Sequence, residues 1–192
     1  MKTQIETIIS DSIAVKQRLL EDEALVDRLQ EVAEACVACF KADGKLLFCG
    51  NGGSAADAQH LSAELSGRFY KDRAPLFAEA LHVNTSFLTA VANDYSYDEV
   101  YARMVRAAGR PGDVLFAIST SGNSGNILRA VEAAKAQSML VVGMTGASGG
   151  KMREACDYLL NVPSAITPRI QESHILMGHI LCELIEEGVF GE

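Results

Sequence analysis

The sequence contains no tryptophan, and aromatic residues make up only 6% of its 192 positions. It also lacks any run approaching the ~20 consecutive apolar residues that a membrane-spanning helix requires. Its N-terminal stretch is amphipathic and carries acidic residues, unlike the apolar stretch of a signal peptide. These absences predict a cytoplasmic protein with no membrane partner.

Basic residues are scarce as well, because 17 lysines and arginines stand against 25 acidic residues, for a formal net charge of -8. Proteins that contact the phosphate backbone of nucleic acids generally present a basic face. The composition therefore predicts no nucleic-acid partner.

The five cysteines are expected to be reduced thiols in a cytoplasmic protein. Cys36 and Cys39 form a C-x-x-C, but inside the apolar helical stretch EVAEACVACF. A redox motif is expected near a strand–helix turn, so this pattern indicates buried small side chains rather than a redox pair.

The composition is that of a globular protein, with 48% hydrophobic and 22% charged residues in a length typical of one domain. Apolar residues recur at helical spacing from about residue 4 to 42, which predicts two helices, or one helix broken near the acidic residues 21–23, closed by Gly44. Short apolar runs predict strands at 45–49, 113–119, 139–145 and 157–162, with a weaker candidate at 77–83. Further helices are predicted from about Ser54, over 96–109 and 126–137, after 150, and from a Thr167 cap before Pro168 towards Glu187.

Strands that alternate with helices and consist of continuous apolar runs indicate a parallel sheet buried on both faces. We therefore predict an α/β fold, a three-layer sandwich with a central parallel sheet and an N-terminal helical extension. Residues 1–192 are expected to form a single domain, in which 1–44 are the helical extension and 45–192 the α/β core.

Two loops after predicted strands have the composition of an anion site. GNGGS follows the strand at 45–49, and STSGNS begins at the end of the strand at 113–119. Small residues leave backbone N–H groups free to point outward, and each loop leads into a helix N-terminus with its partial positive charge. Neither loop matches the P-loop or the G-x-G-x-x-G pattern. Ordinary tight turns are the alternative, but two such loops with hydroxyls and no lysine favour a phosphate monoester as the ligand.

His60 and Glu64 lie four residues apart, on one face of the helix that follows the first of these loops. The spacing fits a shared metal ion, a proton relay or an ordinary surface pair, and the position beside an anion loop favours a functional role. Asp57, one turn earlier, is interpreted either as a partner that orients the His60 ring or as a helix-start carboxylate. His174 is expected to serve packing or an interface, and His82 to be structural.

Four separated motifs together resemble the phosphoheptose isomerases, small proteins of the sugar-isomerase (SIS) domain type. They are GNGGSAADAQHLSAEL, the AND of residues 92–94, STSGNS, and TPRIQESHILMGHILCELIE of residues 167–186. The resemblance covers essentially the whole chain and implies a Rossmann-like SIS fold. It also implies a homotetramer with active sites at the subunit interfaces and a contribution of the N-terminal helices to oligomerisation, in a Gram-negative cytoplasm.

The implied activity converts sedoheptulose 7-phosphate to D-glycero-D-manno-heptose 7-phosphate, in ADP-heptose and lipopolysaccharide precursor synthesis. The resemblance assigns one Zn²⁺ per subunit, with the ligands His60, Glu64, Gln171 and His179. It implies substrate contacts for Asn51, Gly52, Gly53, Glu64, Asn93, Asp94, Ser119, Thr120, Ser121, Ser124 and Gln171. Some relatives carry an acidic residue where this chain has Pro168, so no role is assigned to that position.

The residue types fit this chemistry independently of the resemblance. An aldose–ketose isomerisation moves a proton between C1 and C2 through an enediolate, which needs a base and a positive group near the developing oxyanion. Glu64 is the expected catalytic base and His179 the partner acid, while Zn²⁺ would act as a Lewis acid. Glutamine is an unusual zinc ligand, which predicts a modest metal site.

Gln171 and His179 are eight residues apart on one predicted helix, which separates them by roughly 12 Å along its axis and about 80° around it. Zinc ligands must converge to bonds of about 2 Å. Either the two side chains lean strongly toward each other, or one of them comes from a neighbouring subunit. We favour the second and predict a composite site, in which at least one of Gln171 and His179 comes from a different chain than His60 and Glu64.

Two rival functions remain open at this point. Another sugar-phosphate isomerase of the same domain type, such as a hexulose-phosphate isomerase, has the same chemical requirements. The chain also resembles a non-catalytic SIS tetramer that binds the bacterial replication initiator protein, most closely around residues 91–107. As the resemblance goes, that relative lacks the carboxylate at the position of Glu64, so the presence of Glu64 here favours the enzyme.

Overall fold

A five-stranded parallel sheet forms the centre of the structure, a computed structural model that describes residues 1–191. The order of the strands across the sheet is β2-β1-β3-β4-β5, and every neighbouring pair is parallel. The strands are β1 (Leu46–Gly50), β2 (Ala78–Ala80), β3 (Val114–Ile118), β4 (Leu140–Thr145) and β5 (Tyr158–Asn161). All five predicted strands are therefore present, and the weak candidate at 77–83 is the short edge strand β2.

Helices cover both faces of the sheet, which confirms the predicted three-layer α/β fold. They are α1 (Lys2–Glu21), α2 (Glu23–Lys41), α3 (Gly53–Ser66), α4 (Thr85–Asp94), α5 (Val100–Ala108), α6 (Gly125–Ala136), α7 (Met152–Ala155) and α8 (Thr167–Phe190), with a 3₁₀ turn at Tyr97–Glu99. Within residues 1–191, none of these helices combines the length and apolar character needed to cross a membrane.

Alternate residues of each central strand supply two separate hydrophobic cores, because successive side chains point to opposite faces of a sheet. Leu46 and Phe48 of β1 lie in the core formed with α1, α2, α3 and α8. Leu47 lies in the core formed with α4, α5, α6 and α7. Every residue of β1 and β3 is buried, which accounts for their continuous apolar sequences.

The N-terminal extension is two helices, and Asp22 separates them. The Asp22 carboxylate accepts a hydrogen bond from the Leu25 N–H at 3.1 Å, which satisfies one free donor at the start of α2. At the other end of α2 the left-handed residue is Asp43 (φ 62°) rather than Gly44. Gly44 donates its N–H to the Cys39 carbonyl at 2.9 Å. The predicted closure at Gly44 is therefore correct in place, but the turn itself is made by Asp43.

The structure departs from the sequence predictions at three places. Helix α4 was not predicted, although Asn84 caps it by accepting the Phe87 N–H at 3.1 Å. The single helix predicted over 96–109 is a 3₁₀ turn followed by α5. Thr167 is the first residue of α8 and makes no capping bond, because the N-cap position belongs to Ile166.

Cys36 and Cys39 are buried free thiols, as predicted.

Candidate active site

The loops after β3, β4 and β5 meet at the carboxyl edge of the sheet, where ligands of doubly wound α/β folds are bound. They enclose a cavity of about 280 Å³ beside the first turn of α8. Hydroxyl-bearing residues dominate its polar lining, namely Thr120, Ser121, Ser148, Ser164 and Thr167. The STSGNS loop therefore faces a concave polar space of the kind that a phosphate monoester needs.

Glycines allow the STSGNS loop to pack directly on the loop after β4. Gly122 (φ 66°) and Gly150 (φ 53°) adopt left-handed conformations that side chains rarely tolerate. A Cβ on Gly122 would overlap the Gly149 carbonyl oxygen, and one on Gly150 would overlap the Ser121 carbonyl oxygen. This close backbone approach fixes the shape of the cavity.

The predicted phosphate-binding hydroxyls divide into two groups. Thr120 and Ser121 line the cavity, and the Ser121 Oγ also accepts the Asn123 N–H at 3.2 Å. Ser119 is buried, and its Oγ lies 3.0 Å from the Ser124 Oγ, so these two hydroxyls are paired with each other. Ser124 is the N-cap residue of α6, close to the positive end of that helix.

The side chain of Asn51, in the GNGGS loop, is hydrogen-bonded to other side chains of the protein. Its amide exchanges two hydrogen bonds with the buried amide of Asn126, at 2.9 and 2.8 Å, and its Oδ1 accepts the Tyr97 hydroxyl at 3.2 Å. The pair ties the first loop to the first turn of α6, directly after STSGNS. Sequence reasoning missed Asn126, whose only signal was a polar residue two positions beyond that motif.

The predicted substrate residues Asn93 and Asp94 lie at the exposed end of α4. The Asn93 Nδ2 donates to the Asp94 Oδ1 at 2.9 Å. In the described part of the chain no hydrogen bond joins either side chain to the two loops. Their substrate role stays a prediction.

His60, Glu64 and His179 form a compact cluster within one chain. The His60 Nε2 lies 3.1 Å from the Glu64 Oε1 and 3.0 Å from the His179 Nε2. One nitrogen or oxygen atom from each of the three side chains lies within 4.8 Å of the others. The cluster is open to solvent, because the His60 side chain is 47% exposed and that of Glu64 28%.

The close approach of α3 and α8 brings the two histidines together. Gly178, next to His179, packs against Leu61, next to His60, and a Cβ on Gly178 would lie 2.5 Å from the Leu61 Cδ2. Leu61 is buried in the core and has little room to move. Glycine at 178 is therefore what allows the two helices to lie close enough for the cluster to form.

The structure corrects one part of the composite-site prediction. His179 joins His60 and Glu64 in one chain, so the option in which His179 comes from a neighbour is wrong. The Gln171 amide instead lies at the start of α3, where a Cβ on Gly53 would be 2.5 Å from its Nε2. Gly53 precedes His60 by seven residues, or about 10 Å along the helix. Gln171 thus contacts the start of α3, and His179 contacts the helix about two turns further on. A ligand role for Gln171 stays a prediction.

The other titratable residues considered in the sequence analysis, Asp57, His82 and His174, differ in burial. Burial raises the pKa of Asp57, an effect that His60 partly opposes, and the Asp57 Oδ2 is buried without a hydrogen-bond partner. Burial lowers the pKa of His82. His174 is packed in the core, and its Nε2 lies 3.1 Å from the Thr145 carbonyl oxygen, to which it donates. This confirms a packing role for His174.

The buried His174 predicts a loss of stability in acid. Burial lowers its pKa from 6.5 to about 4, so the unfolded chain binds the extra proton first as the pH falls. The free energy of unfolding should therefore decrease between pH 6.5 and 4, by about 3 kcal/mol from this residue. Denaturation of the wild type and of His174→Gln at several pH values measures this slope. Equal pH slopes in the two proteins would contradict the prediction.

Comparison with known proteins gives a consistent result. A family model described as "SIS domain" matches residues 9–146. The chain is 58% identical to the phosphoheptose isomerase of Rhodospirillum rubrum over 161 residues, which cover 84% of this chain and 86% of the relative. It is 52% identical to that of Burkholderia pseudomallei, with full coverage of both chains. The solved phosphoheptose isomerase GmhA of Neisseria gonorrhoeae is 46% identical, with a TM-score of 0.91 over 97% of this chain and 98% of that chain.

Proposed function

Because the chain belongs to the phosphoheptose isomerase family of SIS-domain proteins, we propose that it converts sedoheptulose 7-phosphate to D-glycero-D-manno-heptose 7-phosphate. The reaction would move a proton between C1 and C2 of the sugar phosphate through an enediolate. The observation that carries the proposal is the His60–Glu64–His179 cluster, which would supply the required base and acid in one place.

Within this cluster Glu64 would accept the proton from one carbon and return it to the other. A carboxylate has two oxygens, so one can face a cation while the other faces the substrate. His179 would act as the partner acid at the substrate oxygen through its Nδ1–H, because its Nε2 faces the cluster.

The donor set fits a zinc ion. Two imidazole nitrogens and one carboxylate oxygen, with a position left for substrate, are typical of catalytic zinc sites. Ligands about 2 Å from a tetrahedral ion stand about 3.3 Å apart, close to the 3.0 and 3.1 Å separations of the cluster. A single His60 Nε2 proton cannot serve both neighbours, whereas one cation satisfies all three lone pairs. When bound, Zn²⁺ would polarise the substrate oxygens.

The phosphate would bind at the carboxyl edge of the sheet, in the cavity lined by Thr120 and Ser121. Backbone N–H groups at the start of α6, together with the hydroxyls, would hold it without a lysine. Its role is orientation, because a fixed phosphate places the reacting carbons repeatedly in the same position. Asn51, Gly52, Gly53, Asn93 and Asp94 are proposed to contact the rest of the sugar.

We further propose a homotetramer whose active sites lie between subunits. The cluster is about 10 Å along α3 from Gly53, and its solvent exposure leaves room for a neighbouring chain to complete the site with Gln171 or the loops. Helix α1 offers a surface for assembly, because Ile5, Ile8, Ile9 and Ile13 are about half exposed. Residues 1–192 would form one domain, with 1–44 contributing to the interface.

The proposed setting is the cytoplasm of a bacterium, where the product would enter ADP-heptose and lipopolysaccharide precursor synthesis. The direct test is a coupled assay of the purified chain with sedoheptulose 7-phosphate after chelation and after addition of Zn²⁺. We expect turnover that depends on the added ion. No turnover with Zn²⁺ present would contradict the proposal, and binding to the replication initiator or turnover of a hexulose phosphate would then be tested.

Removing hydroxyls from the STSGNS loop should weaken substrate binding. Ser121→Ala and Ser124→Ala are each expected to raise KM and to weaken inhibition by inorganic phosphate, by about tenfold for a hydrogen bond to a charged group. Ser121 should show the larger effect, because the Ser124 hydroxyl is paired with Ser119. Ser86→Ala, at an exposed hydroxyl of α4, is the control. An unchanged KM in both variants would leave the loop as an ordinary turn.

A further inference from the structure

Glu186 is a buried carboxylate near the end of α8 that the site described above does not use. Its Oε2 accepts the N–H groups of Tyr70 and Lys71, each at 2.8 Å. Its Oε1 accepts the Phe69 N–H at 3.1 Å and the Arg73 Nε–H at 3.0 Å. A buried charge is stable only when it is paired and hydrogen-bonded in this way.

The charge of Glu186 is maintained by these donors. Burial on its own raises the pKa of the carboxyl, but the three backbone N–H groups and Arg73 outweigh it and lower the pKa below its ordinary value. The carboxylate therefore stays ionised at neutral pH, and its hydrogen bonds hold residues 69–71 against α8.

Arg73, the partner of Glu186, is hydrogen-bonded to the C-terminal end of α3. Its guanidinium donates to the carbonyl oxygens of Glu64 at 3.0 Å, Leu65 at 2.7 Å and Gly67 at 3.1 Å. The last carbonyls of a helix have no partner within the helix, so these bonds cap α3. One buried ion pair thus joins the last turn of α3, the loop after it and α8.

Both segments held by this ion pair reach the histidine–carboxylate cluster. Glu64 lies in the turn that Arg73 caps. Phe69 lies in the loop that Glu186 holds, and its ring is 5.8 Å from the ring of His179. The ion pair is therefore bonded to the segment that carries Glu64 and to the segment that carries the Phe69 ring beside His179.

We propose that Glu186 and Arg73 are positioning residues of the metal site, which hold Glu64 and Phe69 in place so that the cluster is formed before the ion binds. This inference rests on the metal site of the proposed function. Neither residue is a member of the His60–Glu64–His179 cluster.

The test measures the affinity of the full-length protein for Zn²⁺ by competition with a chromophoric chelator. Glu186→Gln keeps the shape of the side chain but removes its charge. It also places an NH₂ group, which can only donate, beside the N–H groups that donate to the carboxylate. We expect its zinc affinity to fall about tenfold or more, as for other groups that orient ligands. Hydrogen exchange of residues 67–71 should accelerate in the same variant.

The matched control is Asp113→Asn, because Asp113 is also a buried carboxylate with an ion pair and backbone donors. It accepts the Lys45 N–H at 3.1 Å and the Arg110 N–H at 2.7 Å, and it pairs with the Lys45 Nζ at 2.6 Å. It lies before β3, at the opposite edge of the sheet from the carboxyl ends of the strands. We expect this variant to lose stability but to keep the zinc affinity of the wild type.

Arg73→Lys provides a second variant if Glu186→Gln does not fold. Lysine keeps a cation beside Glu186, but its single nitrogen has three N–H donors and cannot bond Glu186 and the three carbonyls together, so zinc affinity should again fall. Wild-type zinc affinity in the folded variants would overturn this inference alone. A wild-type protein that binds no Zn²⁺ would overturn the proposed metal site, and this inference with it.

Discussion

Replacing Glu64 with glutamine is expected to lower kcat for sedoheptulose 7-phosphate by ~10²–10⁴-fold, the usual effect of removing a general base. The amide has nearly the shape of the carboxylate but cannot accept the substrate proton. Because the cavity proposed to bind phosphate lies on other elements, inhibition by inorganic phosphate should be unchanged. Steady-state kinetics with added Zn²⁺ and phosphate inhibition constants measure the two effects.

The control for Glu64→Gln is Glu132→Gln, which removes the same charge from an exposed position of α6, in the helical layer on the other face of the sheet. It should retain wild-type kcat and KM. If Glu64→Gln retained nearly wild-type kcat, Glu64 would have no role as the base, and the assignment of the proton transfer would have to change.

Gly178→Ala is expected to disrupt the cluster from outside it. The added methyl group would lie 2.5 Å from the buried Leu61 Cδ2, so α8 must move away from α3. Overpacking of a core typically costs about 1–3 kcal/mol, which outweighs the gain of about 1 kcal/mol from replacing a helical glycine by alanine. The movement would also separate His179 from His60, so zinc affinity and kcat/KM should both fall by more than tenfold, the upper range for disturbed ligand geometry.

Gly188→Ala on the same helix provides the comparison. Its methyl group would lie 2.6 Å from the Val37 Cγ2, but Val37 is only partly buried and lines an open groove with Gly188, so a small local shift can relieve the overlap. This variant should gain helix propensity and keep its zinc affinity. Denaturation curves and zinc competition for the two variants separate crowding at the cluster from a general effect of alanine. Equal zinc affinity in both would show that the spacing of α3 and α8 does not control the site.

The local features of the fold could be predicted from the sequence because their signals are local. The apolar runs at 45–49 and 113–119 correspond to β1 and β3. A strand of a parallel sheet is buried on both faces, so its sequence is continuously apolar and can be recognised. The glycine- and serine-rich loops after these strands could also be predicted, because their composition is a local signal. Helix α4 was missed, because its start depends on the single Asn84 cap and its preceding strand has only three residues.

The sequence by itself determined the α/β order of elements, the two anion-type loops, and the His60–Glu64 pair, which helix geometry alone places on one face. Only the tertiary structure decided which distant side chains join them. His179 rather than Gln171 meets His60, because α3 and α8 run side by side in the same direction and Gly178 lets them approach. Asn126 on Asn51 and Glu186 on the loop after α3 are likewise contacts between elements far apart in sequence. A periodicity fixes the face that a residue occupies, but the packing of whole helices fixes what that face meets.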